Sequence, residues 1–303
     1  MNKQKLKGNA MLLFTAMIWG MSFIAQSKGV ENISPVAFTG LRSILGGIVL
    51  LPVIAVLDFC KKKNGKPTQK LNRTLIIGGV LCGVILCLAS TLQTMGMVYT
   101  SPGKSAFVTA LYMVIIPVAG LFAGKKPSPV IAISVVIATV GLYMICVDTA
   151  TGINKGDIIT LACSFLFTAH ILVIDYFSPR VDGVKLSCIQ FFVCGAINLI
   201  YMFIFEQPEL NPILGCWASI GFSGIMSCGV AYTLQIVGQK YTDPTSASIL
   251  MSLESVFAVI SQTVLIAIGW NITGGMMDIR QVLGCALMFV AIILVQLPEK
   301  KSV

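Results

Sequence analysis

The sequence predicts an all-α integral membrane protein of ten transmembrane helices, built as two inverted five-helix repeats. Three observations predict it. Of the 303 residues 56% are apolar and 11% are charged, with a mean hydropathy of +0.90, whereas a soluble domain carries about a quarter charged residues. Apolar stretches long enough for a hydrocarbon core of about 30 Å, roughly 20 residues each, recur along the whole chain between short polar breaks. Finally, LQTMGMVYTSP at 92–102 returns as LQIVGQKYTDP at 234–244.

The first span, 9–27, follows a Lys-rich start. It lacks a small-residue cleavage site and nine comparable segments follow it, so it reads as a retained span. Cutting at charged and Pro/Gly breaks gives the others as 35–57, 75–95, 104–123, 129–147, 157–177, 186–205, 213–236, 245–268 and 279–297. With no alternating barrel pattern, the helix is the form that satisfies their backbone inside lipid. With the N-terminus in the cytoplasm, sixteen of the 21 Lys and Arg residues fall on the inner side: Lys3, Lys5, Lys7, Lys61, Lys62, Lys63, Lys66, Lys70, Arg73, Lys125, Lys126, Arg180, Lys185, Lys240, Lys300 and Lys301. The outer side receives Lys28, Lys104, Lys155 and Arg280, and Arg42 lies within a span. The positive-inside rule then predicts a multi-pass plasma-membrane protein with both termini cytoplasmic. The net charge of +9 is mostly this insertion signal, with the 61–73 loop facing anionic lipid, and it calls for no nucleic-acid partner. The ten cysteines sit in apolar segments without a CxxC pair and read as small buried hydrophobes.

Aligned at an offset of 142, positions 89–104 and 231–246 share eight identities in sixteen: Ala89/Ala231, Thr91/Thr233, Leu92/Leu234, Gln93/Gln235, Gly96/Gly238, Tyr99/Tyr241, Thr100/Thr242 and Pro102/Pro244. The first copy joins spans three and four, the second spans eight and nine. The chain therefore divides into residues 1–150 and 151–303, five helices each. Five being odd, the second half enters the membrane upside down. Inverted repeats around a midplane site are the architecture of secondary transporters, because halves of near-equal energy can exchange inward-facing and outward-facing shapes. Duplication that merely built a stable bundle is the plainer alternative. The two hairpins, with Pro102 and Pro244 opening helices and Gly96 and Gly238 allowing close approach, are either gates or well-made loops.

Four stretches carry a resemblance: YTSPGKSAFVTALYMVIIPVAGLFAG from Tyr99 to Gly124, GLRSILGG in span two, GLYMI at 141–145, and YTDPTSASILMSLESVFAVISQTVLIAIG from Tyr241 to Gly269. Over nearly its whole length the chain resembles the EamA-type branch of the drug/metabolite transporter superfamily. The resemblance implies a central cavity shared by both halves, with spans five and ten peripheral and available for homodimer contacts. Family members often end spans four and nine with Gly-Glu. Here Gly124-Lys125 and Gly269-Trp270 stand instead, so no coupling role carries over to those positions. The Glu-Pro pair often found in span nine is here Glu254-Ser255, which keeps the acid and loses the kink-former.

Glu254 lies ten residues beyond Pro244, roughly 15 Å along a helix and hence at the midplane. A charge there costs about 2.5–3.5 kcal/mol even on a lenient scale, so the acid must face the cavity, be protonated, or be paired. It is a proton-coupling candidate, or a neutral acid bonded between helices. Tyr112 is its repeat partner, a ring to stack on substrate or an ordinary core tyrosine. Arg42, about 10 Å into span two, binds an anionic group, pairs with Glu254, or snorkels to headgroups. His170, the only histidine, is a second proton-relay candidate or a helix-contact residue. Gln93 and Gln235 offer amides to a solute or to neighbouring helices, Tyr232 a hydroxyl, and Trp19 sits too deep for the interfacial belt and suits a cavity wall. Ser22, Thr109, Ser227 and Ser252 could add further hydroxyls.

There is no HExxH, GxSxG or P-loop, and no pair of intramembrane acids, since Asp175 and Asp148 approach span ends. The sequence thus predicts neither an enzyme nor a cofactor or metal. It predicts a secondary transporter of a small metabolite, such as an amino acid or related solute, with export implied by the resemblance alone. Cationic drug efflux and solute import are alternatives in the same class. A non-transporting accessory or lipid-flipping subunit is the alternative from a different class.

Overall fold

The computed structural model describes residues 3–122, 124, 128–146, 153–207, 209–270 and 276–296. Lys125, Lys126, Asp148, Lys300 and Lys301, which the sequence assigns to membrane ends, lie outside the described residues. Eight helices are long and apolar enough to cross a membrane: α1 (Lys3–Gly29), α2 (Pro35–Lys63), α3 (Arg73–Met97), α4 (Pro102–Phe122), α6 (Lys155–Phe177), α7 (Gly183–Phe205), α8 (Trp217–Gln239) and α9 (Pro244–Ala267). Two shorter apolar helices, α5 (Pro129–Cys146) and α10 (Ile279–Gln296), pack against each other. No strand occurs among the described residues.

The starts follow from sequence. Ser34, Ser101 and Asp243 each accept a backbone N–H as N-cap immediately before a proline in the first turn, where no donor is wasted. Asn154 and Asp157 form a reciprocal capping box at α6.

Helices α4 and α9 are each interrupted at repeat-equivalent points, α4 at Leu111 and α9 at Ser252–Leu253. The break in α9 forms without a proline: the Ser252 hydroxyl donates to the Ile249 carbonyl at 2.8 Å, and such back-bonding bends helices. In α4, Pro117 removes a backbone donor just past the break. Helix α8 departs furthest from a plain helix. A short helix, Leu210–Gly215, precedes it, and Ser223–Ala231 forms a π-helix. Small residues there (Ser223, Gly224, Ser227, Cys228, Gly229) relieve the crowding of the wider turn, and Thr15 of α1 donates to the Ala231 carbonyl at 3.0 Å.

Packing exchanges one helix between the halves. Helix α6, from the second half, packs on α3 and α4; α1, from the first, packs on α8 and α9. Two three-helix bodies result, α3-α4-α6 and α8-α9-α1, facing each other across the centre. Helices α2 and α7 flank them as a pair, and α5 and α10 form another. The bodies match in detail. A Cβ at Gly96 would lie 3.0 Å from the Gly156 carbonyl oxygen, and one at Gly238 would lie 3.0 Å from that of Gly8. Only glycine lets each hairpin stem approach its partner helix so closely.

The α2–α7 pair is clasped at both ends. Ser34 donates to Glu206 at 2.5 Å on one face. On the other, Lys61 meets Asp182 at 2.5 Å and Lys185 meets Asp58 at 2.7 Å, with Gln69 accepting from Lys185 and from the Asp182 backbone. The described cysteines are free, and all but Cys60 and Cys285 are buried.

Candidate functional site

Between the two bodies lies a narrow cavity of about 20 Å³, closed down to roughly the space of one water molecule. Its walls include Trp19, Arg42, Gln93, Tyr112, Tyr232, Gln235 and Glu254, the seven residues that the sequence singles out as substrate contacts, together with Thr109 and Ser227. Phe23, Gln26, Phe167 and Ile171 complete it. A signal for two of these was present: Phe23 and Gln26 follow Trp19 by four and seven residues, on one face of α1.

At the centre Tyr112 donates to Glu254 Oε1 at 3.1 Å. These are repeat-equivalent positions, each beginning the helical segment after its break, so the bond joins the two bodies where the repeats meet. Glu254 is 3% exposed and faces the cavity, not lipid.

Arg42 is likewise 3% exposed, so it does not snorkel to headgroups. Its guanidinium lies 5.6 Å from the Phe38 ring centroid, and no ion pair to Glu254 occurs among the described residues. Arg42 Nε, Trp19 Nε1, Gln26 Oε1 and Gln235 Oε1 make no hydrogen bond within the protein. A buried polar atom left so costs free energy unless something else satisfies it. The repeated glutamines differ for a local reason. Gln93 donates to Thr109 at 3.1 Å, whereas the position equivalent to Thr109 is Met251, which offers Gln235 no such partner.

Tyr232 is the hub of the aromatic wall, with ring centroids 4.7 Å from Trp19 and 5.4 Å from Phe191. His170 stands edge-on behind it at 6.1 Å, bonded to Gln190 at 3.1 Å, fully buried and outside the cavity lining. Of the hairpin residues, Gly96 and Gly238 hold stems against α6 and α1, and Pro102 and Pro244 start α4 and α9. Ser22 and Ser252 are buried without lining the cavity. Among the described residues no group of three His, Cys, Asp or Glu side chains could hold a metal ion.

An all-helical membrane protein with two repeated halves around a central polar and aromatic cavity belongs, by class, with solute carriers. Residues 6–147 and 154–297 each match the EamA-like transporter family, and the chain belongs to that family. An uncharacterized transporter of Archaeoglobus fulgidus is 28% identical over 84% of this chain and 77% of its own length. The uncharacterized transporter YoaV of Bacillus subtilis is 21% identical over 82% and 85%. An S-adenosylmethionine/S-adenosylhomocysteine transporter of Chlamydia trachomatis is 22% identical over 74% and 71%. A solved crystal structure superposes with a TM-score of 0.72 at 16% identity, covering 95% of this chain and 96% of that one, and shares the fold.

Proposed function

We propose that this EamA-family protein is a secondary active transporter that moves a small metabolite across the plasma membrane by alternating access, as two inverted repeats spanning 1–150 and 151–303. In this reading α5 and α10 complete ten spans and form homodimer contacts, both termini are cytoplasmic, and transport runs outward. The protein uses no cofactor or metal and performs no bond chemistry.

The observation that carries it is the Tyr112–Glu254 contact: two equivalent residues of opposed halves, bonded to each other inside the cavity. A site on the axis between the halves is reached from either side by rocking one body against the other. The hairpin contacts support opposed halves. Thr242 reaches Asn9 near the start of α1, and Thr100 reaches Asp157 near the start of α6.

For the cargo, Arg42 supplies a guanidinium for a carboxylate, Glu254 and the glutamine carbonyls accept from an amine, and Trp19, Tyr232 and Phe167 supply apolar faces. That set supports an amino acid or related solute, and the chlamydial relative named for S-adenosylmethionine supports it further. Glu254, facing the cavity, is the proton carrier in this reading.

The test is purified protein in liposomes, assayed for gradient-driven uptake of labelled amino acids and related metabolites under an imposed pH difference. Saturable, pH-dependent uptake that Glu254→Gln uncouples from pH supports the reading. Full pH-dependent flux in Glu254→Gln rejects the proton role. Flux of organic cations in place of zwitterions moves the reading to drug efflux, and no flux of any solute through correctly inserted protein moves it to an accessory subunit.

A further inference from the structure

The two hairpins are equivalent in position but not in chemistry. In the first, Asp157 collects three donors: Lys104 Nζ at 2.8 Å, Thr100 Oγ1 at 2.7 Å and the Asn154 backbone N–H at 3.0 Å. Lys104 and Asp157 are both buried, at the N-terminus of α6, where the helix dipole favours a carboxylate. In the second hairpin the position of Lys104 is Ser246 and the position of Asp157, at the 148-residue offset relating α6 to α1, is Asn9. There the Thr242 hydroxyl donates to Asn9 Oδ1 at 2.9 Å, and no charge takes part.

We infer that Lys104, Asp157 and Thr100 form an ionic brace that welds the α3–α4 hairpin to α6, and that the neutrally held α8–α9 hairpin is the end of the protein that detaches first. Lifting the first hairpin away would break two charge-assisted bonds, from Lys104 and Thr100 to the Asp157 carboxylate, and such bonds are roughly twice as strong as neutral ones. Lifting the second would break neutral hydrogen bonds, Thr242 to Asn9 and Gln239 Nε2 to the Ile171 carbonyl at 3.3 Å. The local caps rank the other way, because Ser246 N–H reaches the Asp243 carboxylate at 2.9 Å and Lys104 N–H reaches the Ser101 hydroxyl at 3.3 Å. Slower opening of the first hairpin must therefore come from the brace. For a carrier of the kind proposed above, the consequence is a resting preference: the cavity opens more readily toward the face of the 239–244 turn. The brace itself needs no transport to be tested.

The measurement is hydrogen–deuterium exchange of the full chain in lipid nanodiscs, read as protection factors of the segments 99–106 and 241–248. The brace predicts protection about tenfold higher in the first segment, the scale of a charge-assisted against a neutral bond. Asp157→Asn with Lys104→Ser gives the first hairpin the chemistry of the second and should bring the two segments level. Asp157→Asn alone, which leaves Lys104 without its carboxylate, should lower protection in 99–106 further than the pair does. Should those variants fold poorly, Asn9→Asp with Ser246→Lys grafts the brace onto the second hairpin and should slow exchange in 241–248 about tenfold. Equal protection in the wild type, or a graft that leaves 241–248 unchanged, overturns the inference.

Discussion

Gly20 sits halfway along α1 where it crosses α9, two residues below the level of Ser22 and one beyond the cavity residue Trp19. A Cβ built there would lie 2.5 Å from Phe257 Cβ, 2.7 Å from the Ala258 nitrogen and 2.7 Å from the Glu254 carbonyl oxygen. Carbon atoms settle at about 3.5–4.0 Å, so α1 and α9 must separate by on the order of 1 Å. Two of the three neighbours are backbone, which no rotamer change can move aside. Overpacking of that kind costs about 1–3 kcal/mol, against a helix-propensity gain of up to about 1 kcal/mol for replacing glycine. Gly20→Ala should therefore lose on the order of 1–2 kcal/mol net, and it should displace Glu254, whose carbonyl is one of the struck atoms. Gly221→Ala in α8 is the control, because nothing lies within 4 Å of its Cβ and only the propensity gain applies. Thermal unfolding of both variants in one detergent, followed by intrinsic fluorescence, separates them. Gly20→Ala should melt below the wild type and Gly221→Ala at or above it. Equal melting of the two would refute the close α1–α9 crossing.

Three further outcomes follow from other sites. Burial pushes the Asp182 carboxyl up, but Lys61 and the backbone N–H groups of Lys185 and Val184 outweigh it and hold the carboxyl below the usual carboxylate range. The folded state thus favours the ionised form, and its stabilisation is present above about pH 4 and lost as pH falls below it. Asp182→Asn should cost about 1–3 kcal/mol at neutral pH and flatten the acid limb of the stability profile, measured by unfolding between pH 3 and 7. Tyr112→Phe removes the donor that joins the two bodies at Glu254, and should shift the pH dependence of liposome flux while leaving the fold intact by circular dichroism; an unchanged profile would detach that bond from coupling. Arg42→Lys loses the planar fork, so uptake of carboxylate-bearing solutes should fall about tenfold or more relative to neutral ones, and equal kinetics for both would reject direct contact.

Much of this fold was legible in the sequence because membrane insertion writes itself plainly. Hydropathy marked the eight spanning helices and the two shorter apolar ones, though α1 begins at Lys3, six residues before its apolar stretch, α2 runs on to Lys63 beyond the hydrocarbon limit, and the separate short helix Leu210–Gly215 was not distinguished from the span at 213–236. The eight identities around Gln93 and Gln235 fixed the repeat, and depth counting from Pro244 and Pro102 put Glu254 and Tyr112 at one level. Their direct bond was not legible, because counting along two helices gives height and not azimuth. The π-helix of α8 was missed as well: its small residues suit an ordinary transmembrane helix equally, and the wider turn depends on what α2 and Thr15 present to it. The exchange of α1 and α6 between bodies is a property of tertiary packing with no local signature. His170 shows the same limit. Its depth suited a relay, but three residues past Phe167 it turns behind Tyr232 and away from the cavity lining.

The inverted arrangement of the halves is tested most directly by single cysteines at Ser101 and Asp243, the N-caps of the two equivalent turns. In a background whose exposed Cys60 is replaced by serine, a membrane-impermeant maleimide applied to intact cells and to inside-out vesicles should label the Ser101 variant from outside and the Asp243 variant from the cytoplasmic side. Labelling of both from one side would place the turns on a common surface and contradict the account.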